Sequence, residues 1–153
     1  MALLSTPSAA SAALVLDTNV VLDLWLFQDP RTAALREALQ RGHLICLATP
    51  HMREELRRVL DYPHLVARLA FYQKTAQQVL DHYEAHAQFV AVPNKAPWTC
   101  KDPDDQVFID LGEAHQCPLI SKDKAVLTMR GRLARAQVAV SREWVPAAPP
   151  QLR

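Results

Sequence analysis

Ala13-Leu14-Val15-Leu16-Asp17-Thr18-Asn19 reads as a short buried strand that ends on an acid, with two polar residues opening a helix behind it. Two further apolar runs have the same character: residues 44–48, Leu-Ile-Cys-Leu-Ala, and residues 118–121, Pro-Leu-Ile-Ser. Strands of this kind alternating with helical patterns predict an α/β domain with a mostly parallel central sheet. In a parallel sheet the carboxyl ends of the strands line one edge, and ligands bind in the crevice outside it. Asp17, Glu55, Asp105 and Asp123 each lie past an apolar run, so folding is expected to bring them together there. Gathered carboxylates repel one another and need protons or divalent cations.

The segments between the runs carry clear helix punctuation. Thr18 to Trp25 reads as an apolar helix. Asp29-Pro30, Thr49-Pro50 and Asp102-Pro103 each place a capping side chain before a proline at the first helical position. The helices they begin are expected to run to Gly42, to about Leu60 and to about His115, with Gly42 supplying a left-handed closing residue. Tyr62-Pro63 breaks the second of these, and periodicity predicts one long helix over 64–87. Residues 89–92 read as a strand, 93–101 as a Pro-containing loop, and 137–140 as a weaker fifth strand. A short helix is expected after Asp123. The domain is placed at 13–145, with a loose N-terminal extension (1–12) and a loose Pro-rich tail (146–153).

Composition excludes several classes. A chain of 153 residues, half of them hydrophobic, fits one domain with a real core. No apolar stretch is long and uncharged enough to span a bilayer. The three cysteines, Cys46, Cys100 and Cys117, form no CxxC pair and fit a reducing cytoplasm. Only Gly42, Gly112 and Gly131 occur, far apart, which excludes a P-loop and a dinucleotide fingerprint. No GxSxG elbow is present. His82 and His86 lie one helical turn apart but lack HExxH and a third ligand, so a solvated helix face is expected. A net charge of +1 neither demands nor excludes nucleic acid.

Each acid has an ordinary alternative use. Asp17 can cap the helix that follows it. Glu54 and Glu55 differ by about 100° around their helix; Glu54 is expected to face water and Arg58, and Glu55 to flank the Met52/Leu56/Val59/Leu60 stripe and reach over the sheet edge. Asp102 can be an N-cap with Asp105 as its capping-box partner, although three acids at one helix start exceed what capping requires. Asp104 is then a candidate helper, and Asp123 mirrors Asp17 at another strand end.

Asp17-Thr18-Asn19, Glu55-Leu56 with Val59-Leu60, Asp102-Pro103-Asp104-Asp105 with Phe108, and Ser121-Lys122-Asp123 together resemble a PIN domain over roughly residues 13–145. The helix start and the Glu55–Leu60 spacing resemble a bacterial branch described as toxins of toxin–antitoxin pairs. The resemblance implies a compact α/β/α sandwich and a Mg²⁺- or Mn²⁺-dependent ribonuclease. It makes Asp17, Glu55, Asp105 and Asp123 the metal-site acids, with Thr18 or Asn19 as a supporting polar residue. Lys122 departs from the small hydroxyl residue or Gly that the family usually carries before its last acid.

On that basis one or two divalent ions are expected, with Asp17 and Asp105 sharing one and Glu55 and Asp123 completing the shell. Water attack in line would leave a 5′-phosphate and a 3′-hydroxyl. The substrate is expected to be single-stranded RNA, tracked by Arg53, Arg57, Arg58, Lys101, Lys122 and Lys124. Trp98 is expected to pack under its loop rather than stack on a base. An antitoxin and a homodimer built on the Phe71/Tyr72 region are the implied partners. The alternative is a non-catalytic PIN-like module that binds RNA or a protein; a phosphoryl-transfer domain with Asp17 as acceptor fits less well, because Asn19 stands where a phosphatase needs a second Asp.

Overall fold

A computed structural model describes residues 11–146 of the chain. The expected extension and tail fall almost wholly on residues 1–10 and 147–153, outside the described part. Among the described residues, five strands form one all-parallel sheet in the order β3-β2-β1-β4-β5. They are β1 Ala12–Leu16, β2 Leu44–Ala48, β3 Ala87–Phe89, β4 Leu119–Ile120 and β5 Val140–Ser141. The central strand β1 pairs with β2 through Ala12–Leu44 to Leu14–Cys46, and with β4 through Val15–Leu119 and Leu16–Ile120. Leu14, Val15, Leu16, Leu119 and Ile120 are all buried; burying one such side chain contributes about 1.5–3 kcal/mol.

Among the described residues, eight α-helices flank the sheet: α1 Thr18–Trp25, α2 Ala33–Gln40, α3 Pro50–Leu60, α4 Pro63–Phe71, α5 Ala76–Ala85, α6 Gln106–His115, α7 Lys124–Leu127 and α8 Arg130–Arg135. The chain moves outward from β1 through β2 to β3, then returns to the far side of β1 as β4. Because crossovers between parallel strands are right-handed, this reversal distributes the helices over both faces. The expected α/β/α sandwich is therefore the observed architecture. Gly112 lets α6 sit close against the sheet, since a Cβ there would lie 3.2 Å from Val138 Cγ1. Gly42 closes the α2 segment at φ +75°, a left-handed value that glycine adopts freely.

Two expectations are corrected. The long helix over 64–87 is two helices, broken at Gln73, whose φ of 55° leaves the helical region. Thr75 then starts α5 with a capping box: its hydroxyl accepts the Gln78 amide and the Gln78 side chain accepts the Thr75 amide. The strand expected at 89–92 lies at Ala87–Phe89. Its apolar continuation runs off the sheet edge, where Val92 is exposed. Among the described residues no helix is long and apolar enough to cross a membrane.

Candidate functional site

The reversal of strand order falls between β1 and β4, and the residues just beyond both strands meet at that point. Asp17 follows β1 and caps α1, its Oδ1 accepting the Val20 amide at 2.9 Å. Asp123 follows β4 and caps α7, its Oδ1 accepting the Ala125 amide at 2.8 Å. Capping and a site position are thus filled by the same carboxylates. Ser121, fully buried, joins them: its hydroxyl donates to Asp17 Oδ2, and its oxygen accepts the Asp123 amide at 3.0 Å. Burial pushes the Asp17 carboxyl above its usual range, against the lowering effect of the hydrogen bonds from Ser121, Val20 and the Lys122 backbone.

The third contribution comes from the turn ahead of α6. Asp102 caps a single 3₁₀ turn, Pro103–Asp105, by accepting the Asp104 amide at 3.0 Å. The reciprocal capping box expected of Asp105 does not form. The Asp105 carboxylate faces Asp123 and Asp102 instead, and one oxygen from each of the three lies within 4.8 Å of the others. Asp105 is only 9% exposed, and its Oδ2 is buried with no hydrogen-bond partner. Its pKa is pushed up to about 7, first by burial, then by the Asp123 charge and the hydrogen bond that its protonated form shares with Asp123, and also by Asp102 and Asp17. An orphaned buried oxygen among all-oxygen donors fits a hard divalent cation such as Mg²⁺ or Mn²⁺.

Asp102 and Ser121 were not singled out as site residues from the sequence. Asp102 looked fully occupied as a cap; the crowding of three acids was the available signal. Ser121 sat within a quoted motif, but nothing in its spacing marks a partner 104 residues away.

The segment leading into Asp102 is tied to α6. Asp110 Oδ1 accepts the Ala96 amide at 2.8 Å and the Gln106 side-chain amide at 2.8 Å. Gln106 in turn accepts from the Cys100 amide at 2.6 Å and donates to the Trp98 carbonyl at 3.0 Å. Trp98 is partly buried against the core, in keeping with packing under the loop.

Glu55 lines a cavity of about 600 Å³ together with Asp104, Asp105, Thr18 and Asn19. Glu54 does not; it pairs with Arg57. The pairing differs from expectation in one respect, since Arg58 reaches Glu55 at 2.6 Å rather than Glu54. Several expected RNA-tracking cations are likewise engaged: Arg53 with Glu84, Arg57 with Glu54 and Asp61, and Lys122 with Asp23. Lys122 therefore leans onto α1 and not into the acidic cluster. Lys101 and Lys124 form no ion pair among the described residues. His82 and His86 do more than face solvent, because both rings stack on the buried Trp25 at 5.0 Å. All three cysteines are free and buried, and burial pushes Cys46 up to about 12 and Cys117 up to about 11.

A protein-family model described as PIN domain matches residues 13–125, from β1 into α7. The chain belongs to the PIN domain family. PIN domains are generally metal-dependent nucleases that commonly bind RNA, so this chain has a nuclease-type fold and carries an acidic cluster suited to a metal. A search of curated proteins finds no matching relative.

Proposed function

We propose that this PIN domain is a Mg²⁺- or Mn²⁺-dependent ribonuclease that cuts single-stranded RNA, and that it serves as the toxin of a toxin–antitoxin pair in the cytoplasm. The observation that carries the catalytic reading is the buried, unpartnered Asp105 Oδ2 between Asp102 and Asp123. Such a group is costly unless something binds it. Asp105, Asp123 and Asp102 would hold the ion, with Asp17 beside them and Glu55 reaching in from the cavity wall. A divalent ion bound there supplies a water of lowered pKa and a counter-charge for phosphate oxygens. The protein's own part is placement: Ser121 fixes the rotamer of Asp17, and Thr18 and Asn19 offer hydrogen bonds to water or phosphate at the cavity mouth. Water would add to phosphorus and give up a proton to solvent, the P–O3′ bond would break, and O3′ would take up a proton from solvent, leaving a 5′-phosphate and a 3′-hydroxyl.

An antitoxin covering the acidic cleft and a homodimer through the exposed Phe71, which packs edge-on against Tyr72, complete the reading. The test is cleavage of a single-stranded RNA with Mn²⁺. Activity that survives EDTA or Asp105→Asn would sink the proposal. RNA binding without cleavage, and a melting temperature unmoved by Mn²⁺, would favour a non-catalytic binding module instead.

A further inference from the structure

The cavity beside the acids extends well past what a metal centre needs. Its volume of about 600 Å³ falls in the range of small-molecule sites. Besides the acids, its wall includes Tyr62, just ahead of α4, His64 and Arg68 on α4, and the buried Leu65 and Phe108. Tyr62 is 46% exposed, and its ring lies 6.0 Å from the His64 ring. His64 and Arg68 are four residues apart on α4 and share a face. Arg68 makes no ion pair or side-chain hydrogen bond among the described residues, unlike the cations of α3.

A second, smaller cavity of about 200 Å³ makes a useful contrast. Its three cations, Arg31, Lys122 and Arg142, are matched in number by Asp23, Asp29 and Glu143; Lys122 is held by Asp23 and Arg31 by Asp29, while Arg142 forms no ion pair among the described residues. That cavity offers a ligand no exposed aromatic ring of the Tyr62 kind and no net charge. The α4 wall of the larger cavity offers an exposed aromatic side chain, buried apolar neighbours and an available cation.

We propose that the α4 wall of the cavity is a nucleobase pocket, which takes a nucleotide near the scissile phosphate of a single-stranded RNA. The inference rests on the ribonuclease reading for the position of the cut, and it adds the group that holds the strand. The base lies against Tyr62 beside these apolar neighbours, and Arg68 meets its phosphate. Stacking on an aromatic ring tolerates any base but requires it to be unstacked from its neighbours, so a duplex is excluded.

The experiment measures binding of a fluorescein-labelled single-stranded oligoribonucleotide by anisotropy in EDTA, where metal-dependent cleavage cannot proceed. Tyr62→Ala and Arg68→Ala are each expected to weaken binding by about tenfold, and Tyr62→Phe to retain it. An abasic site walked along the strand should find one position whose loss matches that of Tyr62→Ala and is not additive with it. Unchanged affinity in Tyr62→Ala, or an abasic walk with no such position, overturns the pocket. A separate arm measures cleavage with Mn²⁺. RNA held through Tyr62 but never cut would overturn the ribonuclease reading and leave the pocket standing. Cleavage by Tyr62→Ala at an unaltered KM would do the reverse.

Discussion

Ser121 donates its hydroxyl to the Asp17 carboxylate across the β1–β4 seam, tying Asp17 to the segment that leads from β4 to Asp123. Both residues are buried, so the bond has little competition from water. Ser121→Ala leaves Asp17 Oδ2 without that donor. The expected cost is about 1–3 kcal/mol of stability at pH 8. Mn²⁺ affinity should fall by about 10- to 100-fold, the usual effect of removing a partner that orients an acid at a metal site. Thermal melts and calorimetric titration read the two effects separately. Burial already raises the Asp17 pKa, so the stability deficit should shrink as pH falls and the carboxylate takes up a proton.

The metal-free protein should lose stability as pH rises from about 4 to above 7. Asp105 titrates at about 7 in the fold against 3.8 ordinarily. Below both values the group is protonated whether folded or not, and it costs nothing. Between them the unfolded chain releases a proton that the fold retains, so stability declines with pH. Above about 7 the full cost of the buried charge is present. Divalent metal needs the deprotonated acids, so the Mn²⁺-induced rise in melting temperature should be larger at pH 8 than at pH 6. Asp105→Asn should raise the metal-free melting temperature at pH 8 by a few degrees, about 1 kcal/mol of stability or more in a chain of this size, while abolishing that Mn²⁺ response. A metal-free melting temperature that climbs between pH 5 and pH 8 would contradict this account.

Asp110 and Gln106 act one step away from the acids. They fix residues 96–100, and through them the approach to Asp102. Asp110→Ala strands the Ala96 amide and frees the Gln106 side chain. It is expected to cost about 1–3 kcal/mol and to raise hydrogen exchange across 94–102 more than in β1 or β4. Mn²⁺ affinity should fall with it, although Asp110 itself belongs to no acidic cluster. Exchange that rises uniformly through the core would mean that Asp110 supports the fold at large and not this segment.

How much of this was legible depended on whether the signal was local. The cap-and-proline pairs at Asp29, Thr49 and Asp102 placed three helix starts, because a cap is decided by adjacent residues. The runs at 13–16 and 44–48 placed the two central strands that carry most of the register. Over residues 64–87 the apolar spacing continues across Gln73 and hides the break, whereas the capping box at Thr75–Gln78 is the local signal that marks it. Residues 89–92 misled because an apolar run at a sheet edge need not be buried; β3 is such an edge. At the strand edge, capping does not remove Asp17 and Asp123 from the acidic gathering: each caps a helix and each also sits close enough to Asp105 to raise its pKa. Ser121 and Asp102 depended on contacts that only the folded sheet edge creates.

Glu54 and Glu55 provide the sharpest discrimination by mutation, since they are neighbours with the same chemistry. Glu55 lines the cavity that contains Asp104 and Asp105, with Arg58 as its counter-ion. Glu54 faces solvent beside Arg57. Glu55→Gln should lower cleavage by about 100-fold or more if the carboxylate reaches the metal, exceeding the usual effect of losing an outer partner. Glu54→Gln should leave the rate unchanged. Arg58→Ala separates two roles for the Glu55–Arg58 pair. If Arg58 holds Glu55 back from the acids, its removal should tighten Mn²⁺ binding; if Arg58 holds Glu55 in place, binding should weaken while Glu55→Gln and Arg58→Ala cease to be additive. Equal rates for Glu54→Gln and Glu55→Gln would remove Glu55 from the site.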